Sequence, residues 1–227
     1  MKKIGLLGGS FNPVHVGHLR LAIEALEVFK LDKVWLMPAY IPPHKRETGL
    51  LSYDIRLTLL NLSVKGLDNV EVTEIEGELG GVSYTVRTLQ ILTSRYVDFD
   101  FYFILGDKDF LCLPTWYKGK KLLDYANLLV ARRNNFSLDK LSLFAKDFFK
   151  AKEIKSNVLA GAHKKVLFFD PLPISISSSL LREKFFHKKS LSYLVPDAVC
   201  LWLHEHRQEV ENVWRNLPEG ISSVPEG

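Results

Sequence analysis

Short apolar runs alternate along the chain with longer segments in which apolar residues recur every three or four positions. The first pattern is typical of buried strands and the second of amphipathic helices. The predicted strands cover residues 3–7, 33–37, 70–75, 100–105, 127–131 and 166–169. The predicted helices are a first one that begins close to Pro13, followed by 54–65, 83–95, 115–124, 138–151, 178–186 and 196–207.

This alternation predicts the fold class. The run from Asp100 to Leu105 is apolar and aromatic at successive positions, which is typical of parallel strands covered by helices. We therefore expect an α/β protein with a Rossmann-like, doubly wound parallel sheet, right-handed crossovers and helices on both faces. Ligands in such folds bind at the carboxyl ends of the strands. The predicted domain spans residues 1–207, and a flexible C-terminal tail is expected over 208–227.

Composition excludes several classes of protein. The 227 residues are 47% hydrophobic and 25% charged, with a net charge of +4. Basic and acidic residues are interspersed, which argues against a nucleic-acid surface. Cys112 and Cys200 show no paired spacing, so neither a disulfide framework nor a thiolate metal site is expected, and the predicted location is cytoplasmic. No uninterrupted apolar segment approaches about 20 residues, and we expect neither a signal peptide nor a membrane span.

The stretch GGSFNPVHVGH at residues 8–18 follows the first predicted strand. Its glycines allow a turn at the strand end, and Pro13 is suited to the opening turn of a helix. His15 and His18 are three residues apart, which places both imidazoles on one helical face. Gly17 carries no side chain, so an anion can approach the backbone amides and the positive end of the helix dipole.

Two other interpretations of this histidine pair remain at this point. A zinc site needs three or four protein ligands, and no cysteine or carboxylate accompanies the pair locally. Isolated histidines are most often structural or exposed, and we assign that role to His163, His187, His204 and His206. The order of strand, glycine turn, proline and helix start favours a phosphate-binding site for His15 and His18.

Two signatures in the sequence resemble those of a known superfamily. GGSFNPVHVGHL is similar to the signature of the H-x-G-H nucleotidyltransferases, which transfer a nucleoside monophosphate and release pyrophosphate. Far downstream, ISSSLLR at residues 176–182 is similar to their I-S-S-T-x-x-R, with Ser179 where threonine is common. The resemblance implies an adenylyltransferase or a cytidylyltransferase.

The segments in between resemble the bacterial nicotinate-nucleotide adenylyltransferases over about residues 3–206. These segments are PPHK at 42–45, SYT at 83–85, PTWY at 114–117, LVARR at 129–133 and YLVP at 193–196. The resemblance implies ATP and nicotinate mononucleotide as partners, without nucleic acid or membrane, and Mg²⁺ bound to the ATP phosphates rather than to protein ligands. The preference for nicotinate over nicotinamide mononucleotide rests on this likeness, and homo-oligomer formation is left open.

The resemblance also implies a set of site residues. The catalytic set is His15, His18 and Arg182, in which the near-neutral pKa of free histidine allows a cationic form beside a polyanion. The ATP-binding set is Gly8, Gly9, Ser10, Phe11, His15, His18, Gly106, Ser177, Ser178 and Arg182. The set for the mononucleotide is His44, Lys45, Tyr84, Thr85, Trp116 and Arg133.

One position departs from the family pattern. After the strand at 100–105 the chain has Gly106-Asp107-Lys108-Asp109, with lysine where the family's G-x-D has aspartate. Either Asp107 or Asp109 takes over that contact, or the nucleotide pocket differs. Two rival functions are a transferase of the same fold for another acceptor, such as phosphopantetheine, and a non-catalytic nucleotide-binding regulator. The presence of both motif histidines and Arg182 opposes the regulator.

Overall fold

The computed structural model describes residues 1–43, 49–133, 136–155 and 157–215. Its strands are β1 (Lys2–Gly9), β2 (Lys33–Pro38), β3 (Val70–Val72), β4 (Phe99–Gly106), β5 (Asn127–Ala131), β6 (Lys152–Lys155), β7 (Val158–Ala160) and β8 (Lys165–Phe169). Its α-helices are α1 (Val16–Phe29), α2 (Tyr53–Ser63), α3 (Ile75–Leu79), α4 (Thr85–Arg95), α5 (Asp107–Leu111), α6 (Leu122–Tyr125), α7 (Leu138–Phe149), α8 (Ser178–Phe186), α9 (Asp197–Glu205) and α10 (Arg207–Trp214). Within these ranges, no helix is long and apolar enough to span a bilayer.

The strands form one sheet in the order β3-β2-β1-β4-β5-β8-β7-β6. All pairs from β3 to β8 are parallel, which confirms the predicted fold class. The edge formed by β6 and β7 is an antiparallel hairpin that the apolar pattern did not predict. The reason is that β6 is exposed along its whole length, so its sequence KEIK carries no alternation of buried and exposed positions.

Helices cover both faces of the sheet, as predicted. Successive β1 residues belong to different apolar layers, with Leu7 in one and Leu6 in the other. The Leu7 layer is closed by α1, α2, α8, α9 and α10, and the Leu6 layer by α4 to α7. Both layers are apolar, because strands that alternate side chains between two faces bury apolar residues on each.

Two predicted elements differ from the observed ones. The helix expected over 115–124 is broken into two 3₁₀ turns, Leu113–Thr115 and Gly119–Lys121, followed by the short α6. Lys118 has a left-handed backbone with φ of 50°, which interrupts a regular helix. The strand expected over 70–75 ends at Val72, and Ile75 begins α3 instead.

The C-terminal segment is ordered further than we expected. Residues 208–214 lie within α10 instead of in a flexible tail, and both Val210 and Trp214 are fully buried. These apolar residues are four apart, so they face the core together on one side of the helix. The packed structure therefore continues to residue 215, and the rest of the predicted tail, 216–227, lies outside the described residues.

The strand order reverses beside β1. The chain runs from β1 outward through β2 to β3, whereas β4 returns to the other side of β1. Leu7 of β1 is paired with Ile104 of β4, so the carboxyl ends of these two strands are adjacent. Such a reversal leaves a crevice between the loops that follow the two strands, and this crevice is where ligands bind in doubly wound sheets.

Candidate active site

The loop after β1 brings the two motif histidines together. The first helix begins at Val16 and not close to Pro13, and His15 is its N-cap residue. The rings of His15 and His18 are stacked, with centroids 3.7 Å apart. A Cβ atom at Gly17 would lie 3.0 Å from Nδ1 of His15, so a side chain at this position would crowd the ring. The prediction that both imidazoles share one side of the helix start is confirmed.

His18 has a defined role for each ring nitrogen. The backbone N–H of His15 donates a hydrogen bond to Nδ1 of His18 at 3.3 Å. We therefore assign the hydrogen of the neutral imidazole to Nε2, which becomes the donor. The rings of Phe11 and His18 pack edge-on, with their centroids 4.9 Å apart. Phe11 is itself almost fully buried, so its side chain belongs to the core.

The charge of His15 differs from our expectation. Its side chain is 3% exposed, and Nδ1 is buried without a hydrogen-bond partner among the described residues. Burial, and secondarily the positive charge of Arg133, lowers the pKa of His15 to about 4. The ring of His15 is therefore neutral in the free protein at pH 7, and the cationic form expected beside a polyanion stays a prediction.

This low pKa predicts a pH-dependent stability. Between pH 6.5 and about 4 the unfolded chain protonates His15 and the folded chain does not, so the contribution of His15 to the free energy of unfolding falls as the pH is lowered. Well above pH 6.5 this contribution no longer changes. The loss is about 3 kcal/mol by pH 4. Urea unfolding at pH 7 and pH 4 should show it in the wild type and in a His163→Gln control but not in His15→Gln. An equal pH dependence in all three proteins would contradict the assignment.

The second motif begins helix α8, as predicted. Ser177 is the N-cap and its Oγ accepts a hydrogen bond from the backbone N–H of Leu180 at 3.2 Å. The Ser178 hydroxyl donates to the carbonyl oxygen of Pro13 at 2.9 Å. This bond joins residues 165 positions apart in the chain. The start of α8 therefore lies directly against the histidine loop.

Arg182 makes a second link between the two motifs. Its Nη1 donates to the carbonyl oxygen of Asn12 at 2.7 Å, and its Nη2 donates to Ser179 Oγ at 3.0 Å. Nε is buried and has no hydrogen-bond partner within the described part of the chain. Burial lowers the pKa of Arg182, but the ordinary value is so high that the guanidinium stays charged at pH 7. A partly buried cation beside a loop of backbone dipoles is suited to an anion.

A cavity of about 250 Å³ opens beside the histidine loop, at the carboxyl ends of β1, β2 and β4. It is lined by Gly8, Gly9, Ser10, Met37, Ala39, Pro42, Pro43, Glu76, Ser83, Tyr84, Thr85, Phe103, Asp109, Trp116 and Tyr117. Three predicted mononucleotide residues, Tyr84, Thr85 and Trp116, are thus brought together with the first glycines of the motif. Of the other three, His44 and Lys45 lie outside the described residues. Arg133 lines a second, smaller cavity on the side of Gly17.

The first cavity combines flat aromatic surface with a helix start. Trp116 is partly buried, and its ring packs edge-on with that of Phe103, with the ring centroids 6.3 Å apart. The rings of Tyr84 and Tyr117 lie 4.6 Å apart. Thr85 is the first residue of α4, whose first turn contains no acidic residue. The N–H groups and dipole of a helix start favour an anionic group, such as a carboxylate, at this end of the cavity.

The two aspartates around Lys108 have different surroundings. Asp107 is fully buried, where its carboxylate accepts hydrogen bonds from the backbone N–H groups of Lys108 at 2.9 Å and Arg133 at 3.0 Å. Asp109 instead lines the cavity. Of the two carboxylates left open by the sequence, Asp109 is the one placed at the ligand side, and Asp107 connects β4 to the end of β5.

Sequence patterns did not indicate Arg56, which organises the cavity from behind. It is 1% exposed, and its guanidinium donates to the carbonyl oxygens of Ser10 at 3.0 Å, Ala39 at 2.7 Å, Tyr40 at 3.2 Å and Leu51 at 2.9 Å. A single cation thus holds three backbone segments around the cavity. An arginine on an amphipathic helix ordinarily faces solvent, so only the tertiary contacts identify it.

Comparisons with known proteins identify sequences to which the chain is similar. The sequence model of the cytidylyltransferase-like family matches residues 6–184. A probable nicotinate-nucleotide adenylyltransferase of Clostridium novyi is 35% identical over 202 residues, which cover 88% of this chain and 96% of that protein. The nicotinate-nucleotide adenylyltransferase of Bacillus subtilis is 32% identical over 206 residues, which cover 91% of this chain and 97% of that protein.

Solved structures share the fold at lower sequence identity. Nicotinic acid mononucleotide adenylyltransferase of Plasmodium falciparum, complexed with NaAD, has a TM-score of 0.72 at 16% identity. The match covers 96% of this chain and all of that one. The same enzyme complexed with APC has a TM-score of 0.71.

Proposed function

The chain belongs to the cytidylyltransferase-like family and, within it, to the nicotinate-nucleotide adenylyltransferases, and from this membership we propose how its site works. The protein is a nucleotidyltransferase that transfers AMP from ATP to nicotinate mononucleotide, giving deamido-NAD and pyrophosphate. The observation that supports this most directly is the meeting of the two phosphate motifs through Ser178–Pro13 and Arg182–Asn12, beside an aromatic cavity.

The reaction needs no general base. A phosphate oxygen of the mononucleotide, already ionised at neutral pH, attacks the α-phosphorus of ATP and forms the new P–O bond. The bond between that phosphorus and the oxygen bridging to the β-phosphate breaks, and pyrophosphate leaves with the electron pair. Catalysis then consists of aligning two anions and stabilising the charge that develops on the bridging and leaving oxygens.

The residues around the histidine loop suit that task. Nε2 of His18 donates a hydrogen bond to a phosphate oxygen, and Arg182 adds a permanent charge at the β- and γ-phosphates. His15 is neutral before ATP binds and acts by hydrogen bonding and by packing behind His18. Ser177 and Ser178 supply amide donors at the start of α8. Gly8, Gly9, Ser10 and Gly106 let ATP approach the strand ends, and Phe11 supports the loop through its backbone.

The aromatic cavity suits the mononucleotide. Trp116 stacks on the pyridine ring, and the nicotinate carboxylate lies at the start of α4 near Tyr84 and Thr85. The prediction that His44 and Lys45 bind its phosphate is retained. We reassign Arg133 from the mononucleotide to the ATP side, because it lies by the cavity next to Gly17.

A divalent cation, which we propose to be Mg²⁺, accompanies ATP. No cluster of three or more His, Cys, Asp or Glu residues that could hold a metal ion is found in the ranges that the structure describes. We propose that the cation is bound by the phosphate oxygens of ATP and by water, as Mg²⁺ commonly is. When bound, it neutralises part of the triphosphate charge. Cytoplasmic location, the absence of nucleic-acid partners and any homo-oligomer stay predictions.

The acceptor preference is directly testable. With ATP and Mg²⁺, we expect kcat/KM to be about 10²-fold higher for nicotinate than for nicotinamide mononucleotide, because a helix start stabilises a carboxylate and not a neutral amide. Pyrophosphate release measures kcat/KM for both mononucleotides, and phosphopantetheine is tested as a third acceptor. Equal rates for the two pyridine nucleotides would refute the acceptor assignment. Faster turnover of phosphopantetheine would support the rival transferase, and ATP binding without pyrophosphate would support the regulator.

A further inference from the structure

Helix α10 contacts the histidine loop and helix α8, which carries Arg182. Trp214, near its end, is fully buried, and Nε1 of its indole donates a hydrogen bond to Asn12 Oδ1 at 3.1 Å. The same indole meets the ring of Phe185 edge-on at 5.2 Å. Phe185 is buried and lies three residues after Arg182 on α8, on the same side of that helix. One side chain thus touches the histidine loop and the helix that carries Arg182.

Asn12 connects the loop to its surroundings through every polar atom of its side chain. Nδ2 donates to the carbonyl oxygen of Gly49 at 2.7 Å, and Oδ1 accepts from the backbone N–H of Leu51 at 3.2 Å as well as from Trp214. Its backbone oxygen is the acceptor for Arg182. The orientation of Asn12 therefore sets where the histidine loop and Arg182 meet, and Trp214 helps to determine that orientation.

Arg207 attaches the beginning of α10 to the same helix. Its Nη1 donates to the carbonyl oxygen of Phe185 at 3.1 Å, and its guanidinium lies 4.3 Å from the centre of the Phe185 ring. Glu211, one turn later on α10, forms a salt bridge with Arg207, in which Oε1 lies 2.6 Å from Nη1. The two ends of α10 therefore contact α8 and the histidine loop at separate points.

We propose that α10 is a brace for the phosphate site and that Trp214 is a positioning residue for ATP, acting through Asn12. Without the indole N–H, the Asn12 carboxamide loses one of its three hydrogen bonds, and the loop carbonyl that holds Arg182 is no longer fixed. Small displacements of catalytic donors lower rates strongly because the transition state demands exact alignment. The indole acts on the residue whose backbone carbonyl holds Arg182, so we expect the effect to fall first on ATP. This inference rests on the proposed function.

The test uses Trp214→Phe, which keeps an aromatic ring and removes the N–H donor. Titration calorimetry with Mg·ATP and, separately, with nicotinate mononucleotide gives the affinity and the number of sites per chain. We expect Kd for ATP to rise about fivefold and kcat to fall about tenfold, with one site per chain and a mononucleotide Kd within about twofold of wild type. Partial unfolding alone would instead lower the number of sites and leave both affinities unchanged, which would overturn the proposal.

Trp35→Phe is the matched control, because Trp35 packs in the other apolar layer and its Nε1 donates to Glu71 Oε2 at 3.2 Å. We expect it to change neither affinity by more than about twofold. The route through Asn12 is tested by Asn12→Ala alone and combined with Trp214→Phe. The double variant should bind ATP as Asn12→Ala does, since the second change has nothing left to act on. If the two substitutions instead raised the Kd for ATP additively, the route through Asn12 would be wrong.

A second variant keeps the proposal testable where Trp214→Phe does not fold. Arg207→Met removes the bond to the Phe185 carbonyl while retaining apolar contact, and we expect a rise of about threefold in Kd for ATP. Unchanged ATP affinity in every folded α10 variant would overturn the brace. Wild-type protein assayed in parallel separates the two proposals, because failure of wild type to release pyrophosphate refutes the function and not the brace.

Discussion

His18→Ala is expected to lower kcat about 10²- to 10³-fold while Kd for ATP rises by less than about tenfold, because preorganised donors act mainly on the transition state. The backbone N–H of His15 donates to Nδ1 of His18, and the proposed function assigns phosphate binding to Nε2–H. Rapid-quench measurement of a single turnover, together with ATP titration, gives the two quantities separately. A variant with normal kcat and a raised KM would show that His18 contributes only ground-state binding.

Two substitutions at position 18 separate its roles. Glutamine places an amide N–H near the position of Nε2, whereas asparagine places a polar atom near Nδ1 and can only restore the bond to His15. We expect His18→Gln to recover about tenfold in kcat over His18→Ala and His18→Asn to recover little. His187→Ala, an exposed histidine at the end of α8, is the control and should match wild type. Recovery by asparagine instead of glutamine would assign His18 to the helix start and not to the phosphate.

Arg182→Gln is expected to lower kcat/KM about 10³-fold, because it removes a charge at the triphosphate and the link to the Asn12 carbonyl together. Arg182→Lys keeps the charge but not the planar fork of donors, and we expect it to recover about tenfold. Pyrophosphate release at varied ATP and fixed mononucleotide measures both variants.

The control for Arg182 is Lys189→Gln, which removes one exposed positive charge just after α8. We expect this variant to stay within about twofold of wild type, since an exposed charge beyond the site is screened by solvent and salt. An equal loss in Lys189→Gln would mean that net charge, and not the position of the guanidinium, governs ATP binding. Full activity of Arg182→Gln would remove Arg182 from the site.

Most of the strands and helices could be predicted because their signal is local. The apolar run that forms β4 and the periodicity of α1, α4 and α7 reflect burial on a definite face, which any stretch of sequence carries within itself. Prediction failed where burial is absent or the backbone is irregular. The exposed β6 shows no alternation, and Lys118 breaks the helix expected over 115–124 through a backbone angle that its neighbours do not specify.

The site was predictable to the extent that its residues occur in contiguous motifs. His15, His18, Ser177, Ser178 and Arg182 were selected from two short signatures, and the structure brings those signatures together. Arg56 was not selected, because its four carbonyl acceptors come from segments that share no pattern. The neutral state of His15 was also missed, since its pKa depends on burial by residues distant in the sequence.

The sequence by itself determined the fold class, because that depends on local periodicity. The family was recognised from the resemblance of two short motifs to known signatures. Only the tertiary structure decided the charge of His15, the side of the site on which Arg133 lies and the choice of Asp109 over Asp107 at the cavity. It also decided that helix α10 packs against the histidine loop. The bond from Trp214 to Asn12 spans 202 positions, and no local pattern encodes a contact that exists only after the chain has folded.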